Sequence, residues 1–287
     1  MNYLPVSACT LTRDAFAGGW CLFESMASLL PFVEELVVMD LGSTDGTLEA
    51  LREIAEANPK FKIIARPDWP RVDAGVLSDL MNELVEICRY ERVLCFGSDE
   101  VWHEDLLLRM EDHFEQGKFN LTFWRLQYRD NFQSIKWPAH TVHRVGLKGQ
   151  LDFVDDAMMT RKRHGAELCS QYGGTTYDHD PQMNDPEGAK SFVHDMIVDV
   201  SKAAFLDNAK VKSELLAPFW HESPNVEGKP TDEWLHEARE NPDWAQTESP
   251  FNLPKLLRWH VGRPRYELRP ELLEALKRDE TRKLLGI

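Results

Sequence analysis

Three carboxylate-bearing stretches set the chemistry this chain can do. Val37-Val38-Met39-Asp40-Leu41-Gly42-Ser43-Thr44-Asp45-Gly46-Thr47 puts an acid directly after a short apolar run and follows it with a glycine-bracketed turn. Phe96-Gly97-Ser98-Asp99-Glu100 puts two acids two residues beyond a later apolar run, and Leu151-Asp152-Phe153-Val154-Asp155-Asp156-Ala157 puts two adjacent acids after a strand-like run. An acid at the carboxyl end of a buried parallel strand stands where open α/β sheets bind their ligands. There Asp40 can accept hydrogen bonds from a base or a ribose; it can also simply cap its turn, with Asp45 capping the next helix. Asp99 suits Mg²⁺ or Mn²⁺, which want oxygen ligands and are completed by phosphate oxygens and water. The alternative is an acidic turn before a helix, where Glu104 and Asp105 favour the N-terminus. Adjacent acids such as Asp155 and Asp156 can differ in environment, one kept as a base while the other is solvated. They read equally as an acidic loop tip.

The elements that must position these groups alternate through the first hundred residues. Val6 to Leu11 reads as a strand, and Asp14 can cap a helix carrying Phe16, Trp20, Phe23 and Leu30. Leu36 to Met39 is a second strand, and Thr47 to Ala57 a helix with Leu48, Leu51 and Ile54 at helical spacing, stopped by Asn58-Pro59. Phe61 to Ala65 is a third strand, Gly75 to Arg89 a third helix with Val76, Leu80, Leu84 and Ile87 on one face, and Val93 to Phe96 a fourth strand. Repeated βαβ units with short apolar strands imply a parallel sheet covered on both faces. Beyond Glu100 the pattern changes to a helix at Leu106 to Gln116, then strands at Phe119 to Tyr128, His140 to Val145 and Asp152 to Met159. After about Leu216 the chain is rich in Pro, Trp and acids and ends in a helical stretch from Pro270 to Leu285.

The Asp40–Thr47 stretch resembles the Asp-x-Gly-Ser-Thr-Asp-Gly-Thr signature of glycosyltransferase family 2, with Leu41 where many members carry a second acid. Phe96 to Glu100 resembles the family's Asp-x-Asp-Glu motif with Gly97 in place of the first acid. The resemblance is good over residues 4–105, patchy to about 200 and absent afterwards. It implies the GT-A fold, a Rossmann-like mixed α/β sheet with helices on both faces. It also implies transfer of a sugar from a nucleotide donor, a UDP- or GDP-sugar, to a glycan, lipid-linked or other hydroxyl acceptor. In that frame Thr10, Thr12, Arg13, Asp40 and Ser98 hold the nucleotide. Asp99, with His179 as a further ligand, holds Mn²⁺ or Mg²⁺. Glu100, Asn82 and Trp137 contact donor or acceptor; Asn82 is what remains of an Arg-Asn pair, Met81 taking the Arg place. Asp156 or Asp155 is the base that activates the acceptor, giving inversion. Arg125, Arg129 and Lys136 are further cations that could meet a diphosphate.

Two rivals remain. A nucleotidyltransferase usually shows a Gly-rich basic loop after its first strand, whereas this chain has Leu11-Thr12-Arg13-Asp14-Ala15 there. A catalytically inactive scaffold that binds a partner or glycan is kept open by Gly97 and by the Trp-rich C-terminal segment.

Composition narrows the classes further. The 287 residues carry a net charge of -15, with only the region from Lys148 to Arg163 noticeably basic, which argues against a nucleic-acid partner. Five scattered cysteines without a Cys-x-x-Cys pair read as reduced residues, Cys9, Cys88 and Cys95 in the core. No apolar run reaches the roughly 20 residues of a membrane span, and the N-terminus lacks the basic start and apolar core of a secretion signal, so a cytoplasmic location is expected. The chain divides into a GT-A domain at 1–215, with a nucleotide-binding half at 1–105 and an acceptor half at 106–215, and an appendage at 216–287.

Overall fold

The computed structural model describes residues 5–67, 74–104, 106, 110, 121–129, 132, 134–137, 140–149, 151–154, 158–161, 196–202, 245–248 and 253–287. Four parallel strands form its centre: β1 (Val6–Thr12), β2 (Glu35–Asp40), β3 (Phe61–Ala65) and β4 (Arg92–Cys95), in the spatial order β4-β1-β2-β3. Their side chains alternate between two buried faces. Ala8, Leu36, Val38 and Leu94 join one apolar cluster, while Cys9, Val37, Met39, Val93 and Cys95 join the other. A strand buried on both sides leaves no polar alternation, which is why these segments read as continuous apolar runs.

The helices cover those faces. On one side lie α1 (Ala15–Gly18), α2 (Leu22–Leu29) and α3 (Thr47–Ala57); on the other α4 (Ala74–Ile87) brings Met81, Leu84 and Val85 onto the Cys9–Cys95 face. The single helix expected after Asp14 is two helices, because Gly19 (φ 62°) and Cys21 (φ 57°) both take left-handed backbone conformations. A Cβ on Gly18 would lie 2.2 Å from Trp20 Nε1, so the Trp20 ring folds back onto the helix end and the chain must break there.

Beyond β4 come β5 (Glu100–Trp102), β6 (Leu121–Arg129), β7 (Ser134–Trp137), β8 (His140–Leu147), β9 (Leu151–Val154), β10 (Met158–Arg161), β11 (Met196–Lys202) and β12 (Ala245–Glu248). The main sheet continues past β4 as β8, β6, β7 and β12, with β8 antiparallel to β4 and β6 antiparallel to β8. β11 pairs parallel with β6 and antiparallel with β5. The sheet is therefore mixed, with helices on both faces, as the GT-A reading expects. Asp152 to Met159, expected as one strand, is two: Val154 pairs antiparallel with Met158 and Leu151 with Arg161. β5 replaces part of the acidic turn expected after Ser98.

The C-terminal residues pack into the central core. A 3₁₀ turn at Arg258–His260 leads to α5 (Pro270–Arg278) and α6 (Thr281–Leu285), split at Asp279 (φ 55°), where a single helix is expected from the sequence. Leu256, Leu257, Tyr266, Leu272, Leu276 and Leu285 share one cluster with β1, α2 and α3. Beneath them Glu24, fully buried, accepts hydrogen bonds from Tyr266 Oη at 2.8 Å and pairs with His260 Nε2 at 2.8 Å. Asn58 Nδ2 donates to the Leu276 carbonyl at 2.7 Å. These contacts tie the C-terminal helices to α2 and to the end of α3. Cys9, Cys21, Cys88 and Cys95 are buried free thiols, and hydrogen bonds from Cys88 and Cys95 followed by burial hold Cys9 well above its ordinary pKa. No helix among the described residues is long and apolar enough to cross a membrane.

Candidate functional site

Parallel strands end together, and here the carboxyl ends of β1 and β4 open a cleft lined by Thr10, Cys95, Gly97, Ser98, Asp99 and Arg144, with Leu77, Met81 and Phe153 as its apolar wall. Its volume is about 290 Å³. Thr10, Ser98 and Asp99, three of the predicted site residues, are thus brought together. The turn that carries Ser98 and Asp99 is fastened from behind by α2, since Ser25 Oγ donates to the Ser98 carbonyl at 3.3 Å and Ser28 Oγ accepts from Trp102 N–H at 3.2 Å. Gly97 has a steric role in that turn. A Cβ there would stand 2.5 Å from Asp99 Oδ1, so the Asp99 carboxylate occupies the space an acid at position 97 would need.

Glu100 is placed differently from Asp99. It is 1% exposed, and its carboxylate accepts from Gly97 N–H at 2.9 Å and from Arg144 Nε and Nη2 at 2.7 and 2.6 Å. Arg125 Nη1 lies 3.9 Å away on the same carboxylate. Burial lowers the Arg144 pKa, but the Glu100 carboxylate outweighs it and the net displacement is upward, so the guanidinium stays charged. Arg144, on β8, lines the cleft, and nothing in its local sequence marks it. Its partner lies 44 residues away, and the sheet pairing that seats β8 beside β4 brings the two together.

The Asp40 loop has a structural task of its own. Asp40 is fully buried, in register with Thr12, and accepts from Gly42 N–H at 3.1 Å, Ser43 N–H at 2.9 Å and Ser43 Oγ at 2.5 Å. Ser43 Oγ in turn accepts from Asp14 N–H at 2.8 Å, and Asp14 Oδ1 accepts from Thr44 N–H at 2.7 Å. Asp45 accepts from Ala17 and Thr47 N–H groups, and Thr47 Oγ1 from Ala15 N–H. Gly42 (φ 82°) and Gly46 (φ 94°) supply left-handed conformations that other residues adopt only with strain. The motif thus clasps the loop after β2 to the loop after β1. Asp40 is not among the cleft-lining residues. Thr12 Oγ1 is buried without a hydrogen-bond partner, and Arg13 is half-exposed with Nε 3.4 Å from Asp14.

Asn82 performs a specific task on α4. Its Nδ2 donates to the Phe153 carbonyl at 3.2 Å and its Oδ1 accepts from Phe153 N–H at 2.8 Å, so one amide pairs with β9 as a neighbouring strand would. Trp137 lies in β7, opposite Ala245 of β12. Asp155, Asp156 and His179 lie outside the described residues.

Strands in the order β4-β1-β2-β3 with antiparallel β8 beside β4, and a cleft at the carboxyl ends holding an acid, define a GT-A-type fold. A family model described as glycosyl transferase family 2 matches residues 22–167, slightly more than half of the chain, and the chain belongs to that family. No curated protein matches it significantly. Among solved structures it is similar to S. aureus TarS 1-349 in complex with UDP, at 14% identity over 99% of this chain and 90% of that one, with a TM-score of 0.37. The mannosyltransferase PcManGT from Pyrobaculum calidifontis in complex with GDP-Man and Mn²⁺ is 14% identical over 82% of this chain and 68% of that one, TM-score 0.37. Likenesses this distant carry no argument about the site. The chain spans 41% of a longer TarS chain and 41% of mannosyl-3-phosphoglycerate synthase from Rubrobacter xylanophilus.

Proposed function

We propose that this chain is a glycosyltransferase that moves a sugar from a UDP- or GDP-linked donor to an acceptor hydroxyl with inversion, using a divalent cation. The observation that carries the reading is the cleft between the ends of β1 and β4, with Thr10, Ser98 and Asp99 converging on it. A Mg²⁺ or Mn²⁺ ion that keeps several waters and takes phosphate oxygens needs only one or two protein carboxylates. Asp99 fits that donor set. Glu100 does not, because its oxygens are committed to Arg144 and to Gly97 N–H. When bound, the cation would act as a Lewis acid on the leaving diphosphate.

The chain's own groups supply the rest. Thr10 and Ser98 offer hydroxyls to the nucleotide, and the apolar wall of Leu77, Met81 and Phe153 excludes water from one side of the cleft. Asn82 anchors β9, the strand immediately before Asp155 and Asp156. In this reading one of those two acids takes the proton from the acceptor hydroxyl as the bond to the anomeric carbon forms. The test is release of UDP or GDP from a panel of nucleotide sugars, for the native chain and for Asp155→Asn and Asp156→Asn. Turnover lost in one of the two variants, with donor binding retained, supports the reading. Unchanged turnover in both removes these acids from the mechanism.

A further inference from the structure

We infer that Arg144 is the donor's diphosphate contact and Glu100 the positioning residue that holds its guanidinium in place, an inference that rests on the cleft being a nucleotide-sugar site. Charge comes first. A nucleoside diphosphate enters with its negative charge beside Asp99, and that carboxylate repels it. Arg144 is the one cationic side chain lining the cleft among the described residues. The Glu100 carboxylate that Arg144 pairs with also has Arg125 within 3.9 Å, so it is shared between two guanidiniums. Among the described residues, Arg144 is thus a cation facing the cleft that offsets the repulsion Asp99 alone would exert on a diphosphate.

Rigidity comes second. Glu100 is 1% exposed and grips Arg144 through both Nε and Nη2, while the Arg144 side chain keeps 15% of its surface exposed. A fork held on one edge by a buried carboxylate keeps its orientation before any ligand arrives, so binding costs little reorganisation. A planar guanidinium also matches phosphate oxygens better than an ammonium does. The same turn that presents Asp99 carries Glu100, so the acid facing the cleft and the acid holding the arginine are fixed by one Gly97–Glu100 hydrogen bond. It follows that part of the diphosphate affinity is independent of the divalent cation.

The experiment measures binding of UDP, GDP, uridine and guanosine to the full chain by calorimetry, in Mn²⁺ and in EDTA. It compares the native protein with Arg144→Ala, Arg144→Lys and Glu100→Gln. In EDTA the native chain should bind one diphosphate more tightly than its nucleoside. Arg144→Ala should lose about 10- to 100-fold of the diphosphate affinity and none of the nucleoside affinity, as expected for a charged hydrogen bond. Arg144→Lys should fall between, and Glu100→Gln should weaken the diphosphate alone, raising the donor KM more than it lowers kcat. Equal diphosphate affinity in the native chain and Arg144→Ala overturns the inference. So does parallel loss of nucleoside and diphosphate, which marks a structural role. If the native chain binds the nucleoside but no diphosphate preference exists in EDTA, the inference fails while the nucleotide site stands. If it binds neither in either condition, the nucleotide-sugar reading fails as well.

Discussion

Tyr266→Phe tests whether the C-terminal segment is part of the scaffold that holds the cleft. The change removes one oxygen and leaves the ring, which stacks on His260 at 5.1 Å between centroids. What is lost is a buried 2.8 Å hydrogen bond to the Glu24 carboxylate. A hydrogen bond to a charged group contributes about 1.5–3 kcal/mol, and among the described residues Glu24, fully buried, would keep His260 as its remaining partner. The expected cost is thus about 2 kcal/mol, read as a lower urea midpoint at unchanged m-value. The pH dependence adds a second readout. Burial, then the Glu24 carboxylate, raises the Tyr266 phenol well above its ordinary 10.0. A pKa raised on folding means stability that is complete below the unfolded value of about 10 and is lost as pH rises through the folded one. Above about pH 10 the native chain should therefore lose stability more steeply than Tyr266→Phe. A cost under about 0.5 kcal/mol, with parallel pH profiles, would refute the reasoning.

Asn82→Ala removes both hydrogen bonds to Phe153 and should cost about 2 kcal/mol, with amide exchange in residues 151–154 accelerating far more than in β1 or β2; uniform exchange would contradict the clamp. Gly97→Ala forces the Asp99 carboxylate aside, so Mn²⁺-dependent nucleotide binding should weaken severalfold while the unfolding midpoint moves by only a few degrees. Unaltered binding would show that Asp99 is not held where the cleft needs it. Ser43→Ala breaks the link between Asp40 and Asp14 and should destabilise the chain by about 1–3 kcal/mol, measured by denaturant titration.

Local signals were legible where local forces decide. α3 and β3 fall at Thr47–Ala57 and Phe61–Ala65, the spans read from apolar spacing and from Asn58-Pro59. The β1–β4 core was legible for the same reason: short apolar runs divided by helices have few ways to bury both faces. The failures involve geometry that spacing does not encode. The break between α1 and α2 sits at the left-handed backbone of Gly19 and Cys21, and β9 and β10 are told apart by pairing with each other, which residue spacing does not announce. Of the candidate site residues, strand ends bring Thr10, Ser98 and Asp99 to one cleft. Arg144 reaches Glu100 across 44 residues, and His260 reaches Glu24 across 236, separations at which no motif can register a partner. The signature around Asp40 identifies the family, yet its residues are occupied in clasping two loops.

The most direct test of the account is thermal unfolding against UDP and GDP, with and without Mn²⁺, on the native chain and on Asp99→Ala. A ligand at about 100 times its dissociation constant adds about 2.7 kcal/mol of stability. The account predicts an upward shift with one nucleotide that Mn²⁺ enlarges, and the loss of that enlargement in Asp99→Ala. No shift with either nucleotide, or a Mn²⁺ effect that survives in Asp99→Ala, would contradict it.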